Sequence, residues 1–208
     1  RRREETAQSV PTPISVLGSE ALETQRVYRV QDLQQLVPST NVAYVHARQS
    51  SISIRGLGNN PASDGLEGSV GIYLDHVYLG RPGMAVFELL DVAQLEVLRG
   101  PQGTLFGKNT TAGVLNVTTR KPTFHREGSI QQSIGEDGYR QTQGSFSGPL
   151  SDTLAGRIRA YRTEDDGYVK NVHNGETLNG GKRPGFRTPL LFQPSDNFTL
   201  RRIRAYHE

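Results

Sequence analysis

The sequence predicts an α+β chain in two parts: a mixed unit with short helices and a small sheet over residues 1–122, then an incomplete antiparallel β-meander over residues 123–208. Three observations predict it. Before Pro122 the apolar pattern switches between helical spacing and strict alternation. After it, segments of roughly ten residues with strand composition are separated by turn signals. No stretch approaches the roughly 18 consecutive apolar residues of a membrane-spanning helix, so any insertion must be by strands.

The first elements follow from residue type. Val10 to Leu17, with prolines at 11 and 13, reads as extended, and Ser19 is the expected N-cap of a short amphipathic helix through Leu22. Asp32, Leu33, Leu36 and Val37 have the spacing of a second helix, which Pro38 stops. From Val42 the period becomes two: Val42–Val45 and Ser51–Arg55 are predicted strands, ended by Gly56 and Gly58. Asn59 to Gly68 has loop composition. Val70–Leu74 and Val77–Leu79 make a hairpin around Asp75 and His76. Val86 to Leu98 suits a short helix running into a strand, and Arg99 to Gly103 a tight turn.

In the second part the expected strands are Ser129–Ile134, Arg140–Phe146, Leu154–Thr163, Phe186–Gln193 and Phe198–Tyr206. Asp137-Gly138 marks a short hairpin and Gly148 to Asp152 a longer turn. Such a meander is the building pattern of up-and-down barrels. Arg202 and Arg204 share a face with Phe198, Leu200 and Tyr206, and Pro189 is expected to interrupt the fourth strand. If that face meets lipid, each arginine costs roughly 2 to 4 kcal/mol at the bilayer midplane, which suits this terminal segment poorly to insertion.

Composition narrows the chemistry. Residues 1–122 carry 12 basic and 11 acidic side chains, so the net charge of +3 marks no basic domain for nucleic acid. Arginine exceeds lysine 20 to 4, which fits multidentate pairing in crowded polar interiors and fits a GC-rich codon bias equally well. Zero cysteines remove disulfides, thiolate metal sites and cysteine nucleophiles, and are compatible with an oxidising compartment. Gly103 to Asn109 resembles a phosphate-binding loop but has three residues between its glycines instead of four, and asparagine follows Lys108; its glycines read as backbone turns. The five histidines have no ligand spacing, Glu164 to Asp166 reads as a solvated turn, and no serine or carboxylate pair is marked for catalysis. No enzyme, metal or cofactor is implied.

Four blocks together carry a resemblance: VPTPISVL from Val10, SIRG from Ser53, VGIYLD from Val70, and the long run EVLRGPQGTLFGKNTTAGVLN from Glu96 to Asn116. In order and spacing they resemble the plug domain of TonB-dependent outer-membrane receptors, and the later meander resembles the opening strands of that family's barrel. A barrel of about 22 strands leaves a lumen too wide for its own side chains, so it must be plugged. A charged but balanced surface over a modest core suits a plug seated against a polar wall.

The resemblance implies an importer of scarce nutrients, ferric siderophores most often, in the outer membrane of a Gram-negative bacterium. The plug sits inside the lumen, and the inner-membrane proton gradient drives opening through TonB. The TonB-contacting box would normally lie just upstream of Arg1. The sequence starts at Arg1, has Met84 as its only methionine, and supplies about five strands, so it reads as a processed or truncated chain needing the remaining barrel strands. Arg55 and Arg99 each end a strand before a glycine turn and match arginines that the family's plug directs at glutamates on the barrel wall. Expected substrate contacts are outward loop side chains: His46, Arg48, Asn59, Asn60, Asp64 and Arg81. A rival reading is a soluble periplasmic binding or signalling module that reuses the plug fold. A β-rich adhesin or carbohydrate-binding domain would explain the tail but not the Arg99 to Asn116 run.

Overall fold

The computed structural model describes residues 12–46, 49–58, 68–80, 89, 91–167, 169–178 and 180–207. The chain divides into two compact units, Arg1–Arg120 and Lys121–Glu208.

The first unit opens with β1 (Ile14–Gly18) and α1 (Ser19–Thr24). The cap of α1 is Gly18, in extended conformation and without a side-chain bond; Ser19 is the first helical residue and caps nothing, one position from where the sequence places it. The next expected helix is instead a 3-10 helix, Val30–Gln35. Six residues confined between a cap and Pro38 favour the tighter winding, whose three-residue turn brings Val30 and Leu33, both fully buried, onto one face. Asp32 closes its start by accepting the Tyr28 and Arg29 amides at 3.3 and 3.0 Å.

Two small sheets follow. β2 (Thr40–His46), β3 (Gln49–Ile54) and β4 (Leu57–Gly58) form an antiparallel set. β5 (Val70–Leu74), β6 (Val77–Tyr78), β7 (Val92–Arg99) and β8 (Gly113–Thr119) join β1 in the order β1-β7-β8-β5-β6, with only β5 and β8 parallel. The turn of β5 into β6 has φ of +49° at Asp75 and +70° at His76, the primed geometry that matches strand twist. Residues 86–88 and 90, where a helix is expected, lie largely outside the described residues. β8 is the long strand that sequence pattern misses. Its residues are buried on both faces, so it shows no alternation, and the preceding glycines draw the eye to turns. Leu95, Val97, Leu115 and Val117 meet the helices and Ile54 in the main core, while Leu98 and Val114 form a smaller cluster with Tyr73. Between β7 and β8 lies the one-turn helix α2 (Gly103–Phe106). Gly103 is therefore helical, and only Gly107, at φ +82°, is a turn residue.

The second unit contains β9 (Glu127–Ile134), β10 (Arg140–Pro149), β11 (Leu154–Asp165), a minor hairpin of β12 (Val169–Lys170) and β13 (Thr177–Leu178), then β14 (Gly181–Ser195) and β15 (Phe198–His207). The sheet order β9-β10-β11-β14-β15 is an antiparallel meander. Asp137 and Gly138, at φ +52° and +68°, make the expected primed turn. Pro149 belongs to β10, not to the turn. Pro189 does not interrupt β14: it pairs with Ile203 of β15, and the β11 pairing is silent only at residues 157–158 against 188–189 before resuming in unchanged register. Proline removes a donor on one side, and a 15-residue strand bonded on its other edge absorbs the loss. Glu164 and Asp165 also lie in a strand rather than a solvated turn, paired with Arg162 and with Arg183.

Alternation gives this sheet two unlike faces. Ile130, Phe146, Ile158, Phe186, Leu190 and Leu200 are exposed on one. Gln141, Gln143, Ser147, Arg157, Arg159 and Arg187 are buried on the other. The buried face is hydrogen-bonded: Arg157 Nη1 donates to Glu127 Oε1 at 2.8 Å, Arg159 Nη2 to Gln143 Oε1 at 2.7 Å, and Gln143 Nε2 to Gln131 Oε1 at 2.6 Å. A sheet of a water-soluble domain has the opposite arrangement, apolar side in and polar side out. This one is inverted, apolar outward and polar inward, as lipid-facing strands are.

Candidate functional site

Ser39 brings Arg55 and Arg99 to the same place. The Arg55 amide donates to the Ser39 carbonyl at 2.7 Å, and Arg99 Nε donates to the Ser39 hydroxyl, also at 2.7 Å. Arg55 and Gly56, at φ +55° and +74°, form a tight turn between β3 and β4, which throws the Arg55 side chain outward and leaves it exposed. Among the described residues its guanidinium makes no hydrogen bond or ion pair. Arg99 differs. At the end of β7 it is half-buried, its amide donates to Pro13 at 3.0 Å, and Nη2 donates to Ser15 Oγ at 2.7 Å. The two serines orient its planar fork, so Arg99 is held while Arg55 is presented. Neither serine was legible as a partner, since each comes from a segment distant in sequence.

The run after Arg99 folds back onto Tyr73. The Tyr73 hydroxyl donates to the Phe106 carbonyl, with the Phe106 ring centroid 5.1 Å away and that of Tyr78 5.4 Å away. Asn109, at φ +65°, donates through Nδ2 to the Tyr78 hydroxyl at 3.1 Å. Burial, and secondarily the neighbouring Tyr78, pushes the Tyr73 phenol above its ordinary value of 10.0, so it stays a donor at neutral pH. The segment that mimics a phosphate loop is thus anchored by aromatic rings and a tyrosine donor. Nearby, the Asp75 carboxylate accepts from the Thr119 amide and hydroxyl at 3.0 Å, and Glu96 accepts from Gln94 and Asn116 at 2.9 and 2.8 Å. These carboxylates are structural: each stitches neighbouring strands at a sheet end or face.

His46 is the last residue of β2, at the tip of the hairpin with β3. Arg48, Asn59, Asn60, Asp64 and Arg81 lie outside the described residues. Among the described residues no group of three or more histidine, aspartate or glutamate side chains is placed to hold a metal.

Residues 6–114 match the family profile described as the TonB-dependent Receptor Plug Domain. The chain belongs to this family. The plug match falls within the first unit, and the inverted sheet of the second is of the family's barrel type. The pesticin receptor of Yersinia pestis is 35% identical over 153 residues, covering 71% of this chain and 22% of that protein. The iron-regulated outer membrane virulence protein of Vibrio cholerae is 31% identical over 176 residues, 76% of this chain and 26% of its own length. The crystal structure of the ferric yersiniabactin uptake receptor from Yersinia pestis superposes with a TM-score of 0.81 at 28% identity, over 91% of this chain and 30% of that one. The chain therefore spans between about a fifth and a third of the length of these relatives. It is a plug-family chain of the Gram-negative outer membrane.

Proposed function

We propose that this chain is the gating portion of an outer-membrane importer of scarce nutrients, with a ferric siderophore as its cargo. The inverted sheet carries the proposal. A soluble periplasmic module gains nothing from an exposed face bearing Ile158 and Phe146, at 49% and 55% exposure, over a buried face that is mostly glutamine, threonine, serine and arginine with Ala155, Tyr161 and Leu191 among them, whereas a barrel wall requires it. The iron-related names of the relatives support the choice of cargo. In this reading residues 1–122 close the lumen formed by residues 123–208 and the remaining barrel strands. TonB, drawing on the inner-membrane proton gradient, pulls on a segment upstream of Arg1 and rearranges the plug. The chain binds and gates; it performs no catalysis and needs no resident cofactor.

Arg55 and Arg99 lock the plug to carboxylates on the barrel wall, the exposed Arg55 as the primary contact and Arg99 through the donors its serines leave. His46, Arg48, Asn59, Asn60, Asp64 and Arg81 form the floor of the binding site. Stripping one side of a buried charge pair costs roughly 3 to 5 kcal/mol. In the full-length receptor, Arg55→Glu with Arg99→Glu will admit large antibiotics into intact cells, and changing Arg26 and Arg29 will not. Equal resistance at matched receptor levels would remove the lock. Alanine at His46, Arg48, Asn59, Asn60 and Arg81 together will weaken siderophore binding without loss of folded receptor; unchanged affinity would move recognition to the barrel loops.

A further inference from the structure

Three neighbouring strands of the second unit carry their outward charges at one end only. Arg140 of β10, Glu164 of β11 and Lys182 of β14 stand directly opposite one another, a row across three adjacent strands. Arg140 and Glu164 have paired neighbours on both sides, and Lys182 is paired through β11. Arg162 lies two residues from Glu164 on the same face and donates through Nε to its Oε1 at 2.7 Å. The three cations are exposed, Glu164 is half-buried, and all three lie close enough to act on that one carboxylate. From this row to their other ends the outward positions of the three strands carry no charge, and they include Phe146, Ala160, Ile158 and Phe186. Arg183 and Asp165 pair on the opposite face, and Glu136, Asp137 and Asp166 belong to the connections beyond the strands.

We infer that Arg140, Arg162 and Lys182 bind the phosphates of a lipid headgroup at the rim of the apolar face. Three cations to one carboxylate leave two positive charges over among the described residues, and strands about 4.8 Å apart hold them together. Each guanidinium can grip a phosphate with its planar fork, and the lysine adds a point charge. Depth selects a lipid. Arg162 is only two residues, roughly 7 Å of strand, past Ala160, so the row sits where the apolar band ends. Arginine and lysine that are costly at the bilayer centre cost little at this level, and lipid phosphates lie there. At this end β11 and β14 are joined by residues 166–180, whereas the connections at the other end are only 150–153 and 196–197. In outer-membrane barrels the short turns face the periplasm, so the row meets the outward leaflet. Glu164 holds the cations in one row and competes with the phosphate for them. The site presupposes the barrel wall of the proposed function but not its cargo.

The probe is lipid A, the phosphorylated glycolipid of the Gram-negative outer leaflet, in its two-phosphate and one-phosphate forms, with phosphatidylcholine as the charge-balanced control. The full-length receptor in non-ionic detergent micelles is titrated with each, and bound lipid is counted by native mass spectrometry. The two-phosphate form will bind about tenfold more tightly than phosphatidylcholine, with the one-phosphate form between them. The triple variant Arg140→Gln, Arg162→Gln, Lys182→Gln, checked by circular dichroism, will lose that preference, and Arg26→Gln with Arg29→Gln, exposed cations of the first unit, will keep it. Glu164→Gln, which removes the competing carboxylate, will bind the two-phosphate form about two- to fivefold more tightly. Equal binding of the three lipids would overturn the inference, as would a preference that survives in the folded triple variant or a Glu164→Gln receptor that binds no more tightly. Displacement of the lipid by inorganic phosphate at equal phosphate concentration would overturn the assignment to a lipid. If the triple variant does not fold, Glu164→Gln decides alone. Label accessibility along β10 and β11 reads the wall independently, so a failure of lipid binding with the wall intact removes this site and leaves the importer reading standing.

Discussion

Replacing Gly113 by alanine tests the packing of the plug at its tightest point. Gly113 opens β8, flanked by Val70 of β5 and Arg99 of β7. A Cβ there would lie 2.3 Å from the Leu98 carbonyl oxygen and 2.7 Å from Ile54 Cδ1. The first neighbour is backbone in a paired strand and the second is a core side chain 1% exposed, so neither can step aside cheaply. Overpacking of this kind costs roughly 1 to 3 kcal/mol. Gly103, ten residues earlier in the same run, is the control: a Cβ there meets nothing within 4 Å, and the residue is helical. Alanine at Gly103 should be neutral or stabilise by about 0.4 to 1 kcal/mol. Amide hydrogen exchange read by mass spectrometry resolves both variants. With each 1.4 kcal/mol a tenfold change, peptides spanning β7 and β8 should exchange about 5- to 150-fold faster in Gly113→Ala and no faster in Gly103→Ala. Exchange within twofold of the parent in Gly113→Ala, or equal damage from both, would refute the packing assigned to β8.

Tyr73→Phe removes the donor to Phe106 and should cost about 0.5 to 1.5 kcal/mol, seen as faster exchange across α2. Because folding raises the Tyr73 phenol above 10.0, its contribution is complete below that value and is lost as pH climbs through the higher folded value. An alkaline titration of exchange at α2 should therefore break later than that of free tyrosine. Ser15→Ala, which deletes one bond to the Arg99 guanidinium, should speed exchange of β1 by about tenfold and leave the β2–β3 hairpin unchanged. Reconstituted in liposomes, the chain by itself should give no stable, uniform conductance, since five strands leave two unpaired edges that lipid cannot satisfy.

The order of the later strands was legible because each alternates and each is bounded by turn residues of definite conformation, Asp137-Gly138 being the plainest. Proline is a weaker breaker here than the pattern suggests: Pro149 closes β10 as its last residue, and Pro189 sits inside β14, a strand long enough to lose a bond on one side. In the plug, strands with one covered face, such as the one ending in Ile52 and Ile54, announced themselves. Strand β8 did not, because burial on both faces erases the period. The spacing of Asp32, Leu33, Leu36 and Val37 predicts a helix, and the structure has a tighter one placed slightly earlier, at Val30–Gln35, a difference of winding and bounds that apolar spacing over two turns cannot resolve. At the candidate site, Arg55 and Arg99 were recognisable from their place before glycines. Ser39, which joins them, and Ser15, which holds one, were not, since contacts across 60 and 84 residues leave no local pattern.

The central claim, that the second unit is a wall with lipid on one side and a polar interior on the other, is open to a direct measurement. Single nitroxide labels on introduced cysteines can be placed at Phe146, Ile158, Ala160 and Phe186, and at Gln143, Tyr161 and Thr163, none of which competes with a native cysteine in this chain, in a full-length receptor whose other cysteines, if any, are replaced, in bilayers. The first set should relax with membrane-dissolved oxygen and be shielded from a water-soluble nickel chelate. The second set should be shielded from oxygen, giving a period of two along β10 and β11. Oxygen accessibility that is uniform along these strands, or greater at Gln143, Tyr161 and Thr163, would contradict the assignment.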